Sequence, residues 1–349
     1  MAKKVAVLTG GGDCPGLNAV IRAASWKLIT DYGFKVIGVR EGWRGFLSND
    51  YLELDLRAIS GILTRGGTIL RTSRTNPFKQ DGGPELLVDN LRQQEIWATI
   101  AIGGDDTLSV AQQLGEKYSL NMVGIPKTID NDLSGTDYTF GFDTAVQIAT
   151  EAIDRLHSTA ESHNRVMVVE VMGRHTGWIA VMSGIAGGAD VIMIPEQEMP
   201  VEEACEIIKK RHARGKDFSI VVVSEGTKLK LAGEEASVIT QSSEVDAFGN
   251  VRLGGVGNVL GKEIEKRTGF ETRVVVLGHV QRGGTPTARD RILATRYGIR
   301  AADLVKEEKF GRMVALKGDE IQDIPLSDAV SELKKVRPEF WDLARTFFG

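Results

Sequence analysis

Short β-branched runs recur along this chain, each followed directly by a glycine- or aspartate-rich loop and then by a stretch of helical spacing. That alternation constrains the fold more than any other feature. Runs at 5–8, 36–39, 99–102 and 122–125 read as buried strands, with helices at 19–29 and 107–118. The 143–157 stretch is helical, with Ala145, Ile148, Ala149, Ala152, Ile153 and Leu156 on one face. The second half repeats the theme. Its strands fall at 166–171, 191–194, 220–223 and 274–277, and its helices at 201–214, 258–268 and 287–305. Such alternation predicts an α/β fold with parallel sheets covered on both faces. At 349 residues, two such layered domains are expected. The polar stretch 228–255 shows neither period and reads as an excursion or a small hairpin.

Composition removes whole classes of function. The formal charge is −4, from 43 Lys+Arg against 47 Asp+Glu, which excludes a generally basic nucleic-acid coat but not a local cationic pocket. Forty residues are glycine and only 9 are proline, so glycine serves tight turns and close backbone approach rather than a disordered linker. Cys14 and Cys205 are too few for a disulfide framework or a zinc cage, and the cytoplasm is the simplest compartment. Residues 1–16 lack the apolar core and cleavage site of a secretion signal, and no apolar run reaches the ~18 residues of a membrane span. Neither a nucleic-acid nor a membrane partner is expected.

The unusual residues fall directly after strands, where open α/β sheets bind ligands. The loop Gly10-Gly11-Gly12-Asp13-Cys14-Pro15-Gly16 could offer backbone amides and a helix dipole to a phosphate, or be only a tight turn. It is neither a dinucleotide fingerprint, since Pro15 takes the place of the third glycine, nor a P-loop, since no Gly-Lys-Ser/Thr follows. Gly103-Gly104-Asp105-Asp106 sets two carboxylates at a helix start, suited to Mg²⁺ beside a phosphate or to capping. The loop Lys127-Thr128-Ile129-Asp130-Asn131-Asp132 holds a carboxylate able to accept a hydroxyl proton, with a lysine to neutralise phosphate. Taken alone it could also be a solvated Asp/Asn turn. Arg165, Arg174, Arg273 and Arg282 sit near strand ends, placed for forked recognition of phosphate or for surface ion pairs. Together these are the parts of phosphoryl transfer between two phosphorylated ligands.

Gly11-Gly12-Asp13-x-Pro15-Gly16-x-Asn18, Gly104-Asp105, Thr128-Ile129-Asp130-Asn131-Asp132, Met172-Gly173-Arg174 and Gly278-His279-x-Gln281-Arg282-Gly283-Gly284 together resemble the phosphofructokinase A family, from about residue 4 to about residue 345. The resemblance implies two similar doubly wound, Rossmann-like domains. Residues 1–141 with 281–331 would handle the donor and Mg²⁺, and 142–280 with 332–349 fructose 6-phosphate. It implies phosphoryl transfer to the 1-hydroxyl of that sugar, with Asp130 as proton acceptor and Thr128 against the substrate. It also implies Asp105 on Mg²⁺, Gly12 and Arg74 on the donor phosphates, and Arg174 on the transferring group. Met172, Gly173 and Glu225 would position the sugar, and His279 and Arg282 its 6-phosphate. Arg165 and Arg273 would come from a neighbouring subunit of a homodimer or homotetramer.

Two positions bear on the donor. By the same resemblance, ATP users carry glycine at the position of Asp106, and short bacterial ATP enzymes carry glycine at that of Lys127. Asp106 with Lys127 therefore resembles the pyrophosphate-dependent branch. An aspartate there puts bulk and negative charge on the path of a nucleotide's α-phosphate. The alternatives are an ATP-dependent kinase and, from another class, a catalytically inactive sugar-phosphate or nucleotide sensor. Regulated relatives line an effector site with arginines, and two of those positions match Trp26 and His157 here, which implies no ADP or phosphoenolpyruvate control of the usual kind.

Overall fold

The computed structural model describes residues 2–230, 237–245 and 251–349. In chain order the first strands are β1 (Lys4–Thr9), β2 (Lys35–Val39), β3 (Tyr51–Glu53), β4 (Ile96–Gly103) and β5 (Met122–Pro126). There follow β6 (Val166–Val171), β7 (Val191–Met193), β8 (Ser219–Ser224), β9 (Lys228–Leu229), β10 (Ser237–Val238), β11 (Thr240–Val245) and β12 (Val251–Leu253). The last are β13 (Thr272–Val276), β14 (Arg312–Lys317) and β15 (Glu320–Pro325). The helices are α1 (Leu17–Thr30), α2 (Trp43–Ser48), α3 (Gly83–Gln93), α4 (Asp105–Tyr118), α5 (Phe142–His163) and α6 (Trp178–Ala186). They continue as α7 (Val201–Ala213), α8 (Val256–Thr268), α9 (Ala288–Lys306), α10 (Leu326–Ala329) and α11 (Pro338–Arg345). Among the described residues no helix is long and apolar enough to cross a membrane.

The chain forms two compact units. The first comprises 2–144 and Arg282–Leu333, and the second 145–230, 237–245, Val251–Gln281 and Lys334–Gly349. Unit 1 holds a sheet in the order β15-β14-β5-β4-β1-β2-β3, in which β2, β1, β4, β5 and β14 run parallel and β3 and β15 are antiparallel edges. Residues 5–8 of β1 are fully buried, as a strand covered on both faces must be. Ala6 and Leu8 join Trp43 and Phe46 of α2, Leu87 and Leu91 of α3 and Leu108 of α4 in one core, while α1 and α9 pack together elsewhere. Gly298 permits that packing, since a Cβ there would sit 2.7 Å from the Val20 carbonyl oxygen.

Unit 2 holds the four-stranded parallel sheet β13-β6-β8-β7. The excursion read at 228–255 contains two antiparallel pairs, β9 with β10 and β11 with β12; its residues 231–236 and 246–250 lie outside the described ones. Glu170 on β6 is buried, and its carboxylate accepts the amides of Gly255 (3.0 Å) and Gly257 (2.8 Å) at the start of α8. A helix N-terminus is the natural partner for such a buried anion.

Candidate active site

In unit 1 the chain passes from β1 to one side and from β4 to the other, so the loops after those two strands leave at a topological switch point. They touch there. The Gly10 amide donates to the Ile102 carbonyl at 2.9 Å, and a Cβ on Gly10 would lie 2.5 Å from Thr107 Oγ1. Gly11 is left-handed (φ 76°) and donates to the Ser73 carbonyl at 3.2 Å. Gly12 faces Arg282, whose Nη1 would be 2.5 Å from a Cβ at that position. Glycine is favoured at position 10 by the close approach of the Thr107 side chain and at position 11 by its left-handed backbone.

Lys127 follows β5, and its amide donates to the Gly103 carbonyl at 2.9 Å. Its buried ammonium donates to the Gly12 carbonyl. Burial pushes its pKa down to about 8 and Arg282 adds to the fall, while Asp13 and Asp130 oppose it. Cys14 is fully buried, its thiol is pushed up to about 12 by that burial, and its Sγ lies 3.7 Å from the Phe140 carbonyl. It is a packing group.

Asp105 and Asp106 occupy the first turn of α4, and Gly104 is the cap residue. The carboxylates therefore stand at the positive end of the helix rather than serving as its cap. The 128–132 loop is pinned by its own polar groups. The Asp130 amide donates to Thr128 Oγ1 (3.0 Å), and Thr139 Oγ1 donates to the Thr128 carbonyl (2.7 Å). Asn131 is left-handed (φ 51°), and its Oδ1 accepts the Thr139 amide at 3.0 Å. Asp132, given no role by the sequence reading, has its carboxyl pushed up to about 7 by burial and by the charges of Asp130 and Asp105, against its own amide and the Thr128 hydroxyl. Three carboxylates thus share one negative field. Among the described residues no three or more His, Cys, Asp or Glu form a group placed to hold a metal. Arg282, read from sequence as a ligand of the sugar's 6-phosphate, here donates from Nη1 to the Asp13 carbonyl at 3.2 Å. Arg74 is exposed on the segment whose Ser73 and Thr72 bond to Gly11.

In unit 2 the register Val171↔Ser224 brings the loops after β6 and β8 together. Ser224 Oγ donates to the Gly173 carbonyl (2.7 Å), the Glu225 amide to Val171 (2.9 Å) and the Gly226 amide to Gly173 (3.0 Å). Gly173 has φ 135°, and a Cβ there would lie 2.5 Å from Ser224 Oγ. Met172, Gly173, Arg174 and Glu225 therefore form one group. The buried Gln281 ties a third loop to it: its Oε1 accepts the Met172 amide (3.3 Å) and its Nε2 donates to the Gly278 carbonyl (3.1 Å), next to exposed His279. Glu196 accepts the Gly177 amide (3.0 Å) and the Val336 amide (3.0 Å), holding the far end of the loop that carries Arg174. Neither the buried Gln281 nor the half-buried Glu196 was given a role from sequence, because a side chain bonded to backbone leaves no periodic trace.

Arg165 and Arg273 are not with that group. Arg165 precedes β6 and pairs with Glu271 at 2.8 Å, and Arg273 bonds the same carboxylate. Both stand at the amino edge of the sheet, whereas residues 172–174 stand at its carboxyl edge.

A glycine loop and paired aspartates at a switch point, a pinned aspartate loop beside them and an arginine-bearing second parallel sheet define an α/β protein for phosphorylated ligands. The chain belongs to the phosphofructokinase family, whose model matches residues 4–305. It is 56% identical to the pyrophosphate–fructose 6-phosphate 1-phosphotransferase of Streptomyces coelicolor, over 99% of this chain and all of that protein. It is 49% identical to an ATP-dependent 6-phosphofructokinase of Corynebacterium efficiens, over 100% of this chain and 99% of the relative. The solved phosphofructokinase of Saccharomyces cerevisiae superposes with a TM-score of 0.81 at 32% identity, over 99% of this chain; this chain spans 46% of that one. The resemblance read from the motifs and the expected fold both hold.

Proposed function

We propose that this chain transfers a phosphoryl group from pyrophosphate to the 1-hydroxyl of fructose 6-phosphate, giving fructose 1,6-bisphosphate and orthophosphate. The observation that carries the donor assignment is Asp106 in the first turn of α4, beside the loop whose Gly12 carbonyl holds the buried Lys127 ammonium. A diphosphate ends where a nucleotide continues, and a carboxylate at that point opposes the continuation. Lys127 supplies a compact cation for the diphosphate oxygens.

Unit 1 takes the donor in this reading, through Gly12, Arg74 and Lys127. Asp130 accepts the proton of the 1-hydroxyl as that oxygen bonds to phosphorus and the bridging P–O bond breaks, releasing orthophosphate. Thr128 lies against the acceptor, and Arg174 offsets charge on the group in transfer. Unit 2 takes the sugar through Met172, Gly173 and Glu225, with His279 on the 6-phosphate. Arg282 joins His279 by exchanging its 3.2 Å bond to a neutral carbonyl for a charge-assisted bond to phosphate.

The residues fit magnesium. Burial raises the Asp132 carboxyl, and the charges of Asp130 and Asp105 add to it, a field that a hard cation relieves; one or two carboxylates plus donor oxygens suffice to hold such an ion. Asp105 would be its protein ligand, and the charge of such an ion would offset that of the phosphates.

Arg165 and Arg273 support a shared site. β6 is six residues long, roughly 20 Å at ~3.3 Å per residue, so its amino edge cannot serve a ligand at its own carboxyl edge. A second copy supplies them, as in a homodimer or homotetramer. No effector control of the usual kind is part of this reading, in keeping with Trp26 and His157 standing where regulated relatives carry arginines; the His157 ring is bonded instead to the Gly187 carbonyl of its own unit at 2.7 Å. The enzyme acts in the cytoplasm, and with pyrophosphate as donor it runs in either direction of sugar-phosphate metabolism.

Phosphorus NMR tests this reading from the product side. Fructose 1,6-bisphosphate and orthophosphate with magnesium should yield a pyrophosphate signal. Its absence in a sample that phosphorylates fructose 6-phosphate from ATP would overturn the assignment.

A further inference from the structure

We infer that Glu41, clamped by Arg44 and Arg71, is a second determinant of donor choice that closes the position where an open α/β sheet would grip the ribose of a nucleotide. This rests on the pyrophosphate reading above. In doubly wound folds the turn after the first strand takes phosphates, and an acidic residue just beyond the second takes the ribose hydroxyls. Glu41 stands two residues beyond β2. Its neighbour Gly42 packs on the root of the glycine loop, where a Cβ would lie 3.0 Å from the Thr9 carbonyl oxygen and 3.3 Å from Gly10 Cα.

The Glu41 carboxylate is already engaged. Arg44 Nη1 is 3.0 Å from one oxygen and Arg71 Nη1 is 3.9 Å from the other. The segment 70–73 is stitched from β2 to the loop. The Glu41 amide donates to the Leu70 carbonyl (2.8 Å), and Ser73 Oγ donates to the Glu41 carbonyl (2.6 Å). The Gly11 amide donates to the Ser73 carbonyl (3.2 Å), and Thr72 Oγ1 to the Gly11 carbonyl (2.6 Å). Glu41 and Arg71 both have φ 57°, a left-handed backbone that non-glycine residues adopt at a cost. Arg71 is 72% exposed, so packing does not require an arginine there. A ribose arriving at Glu41 would meet two guanidinium groups in its place, whereas pyrophosphate does not extend that far.

The test is competitive inhibition against pyrophosphate by ADP and by methylenediphosphonate, both with magnesium. It compares wild type, Arg44→Ala/Arg71→Gly and that double variant with Glu41→Gln added. Glycine accepts φ 57° without strain, so the segment keeps its course. With both guanidinium groups removed, ADP should inhibit about tenfold more tightly, the worth of a freed carboxylate–hydroxyl bond. Methylenediphosphonate should stay within twofold, and the triple variant should lose the gain. The inference is overturned if ADP inhibition stays within twofold, if both ligands shift together, or if the gain survives Glu41→Gln. A wild type that prefers ATP would instead remove the donor reading, and this inference with it.

Discussion

Lys127, at the end of β5, turns its ammonium back onto the carbonyl of Gly12, in the loop after β1. One buried cation therefore sits between the glycine loop and the aspartate loop of unit 1. With its pKa near 8, its charge is lost within an accessible pH range.

That titration gives a signed expectation. As pH rises through about 8 the free enzyme loses the Lys127 charge, so the pyrophosphate KM should climb while the fructose 6-phosphate KM changes little. Steady-state assays from pH 6.5 to 9.5 read it. Lys127→Met should begin with a pyrophosphate KM about tenfold higher, with this pH dependence flattened.

Asp106→Gly should admit ATP, because it removes charge and bulk from the first turn of α4 without touching Asp105 or Asp130. The readout is the ratio of kcat/KM for ATP to that for pyrophosphate, expected to rise at least about tenfold. A ratio unchanged from wild type would mean that the Asp106 carboxylate does not meet the donor.

Asp132 binds a proton more tightly folded than unfolded, its carboxyl being raised from 3.8 to about 7. The stability this contributes is complete below pH 4 and is lost as pH rises toward 7. In metal-free enzyme, Asp132→Asn should lose less Tm than wild type between pH 5 and 7.5, by roughly 2–6 °C. Differential scanning calorimetry compares the two. Asp290, also raised to about 6, titrates alike in both proteins and cancels from the comparison.

Gln281→Met keeps the volume but strips the Met172 amide and the Gly278 carbonyl of their partner. The fructose 6-phosphate KM should rise about tenfold with the pyrophosphate KM within twofold, because the two loops that Gln281 joins both belong to unit 2. A merely structural residue would instead lower Tm and scale both constants together.

Much of this was legible in sequence because the strands of a doubly covered parallel sheet are continuous apolar runs. Residues 5–8, 99–102 and 166–171 needed no periodicity to be seen. Helix α6 escaped because Trp178–Ala186 is apolar on nearly every side, and β14 and β15 because their hairpin turns at Gly318 beyond the last clear helix. The chemistry-bearing loops were visible as motifs, and their residues fall at adjacent strand ends. What sequence could not give were bonds of long range: Lys127 to Gly12, Gln281 to Met172, and Arg282 to the Asp13 carbonyl. Each depends on which backbone group a flexible side chain meets across the fold.

The most direct measurement is turnover of fructose 6-phosphate with magnesium and either pyrophosphate or ATP, on one purified sample. The account requires strong pyrophosphate-dependent formation of fructose 1,6-bisphosphate with ATP turnover at or near background. A preference for ATP would contradict it, and would mean that Asp106 points away from the donor.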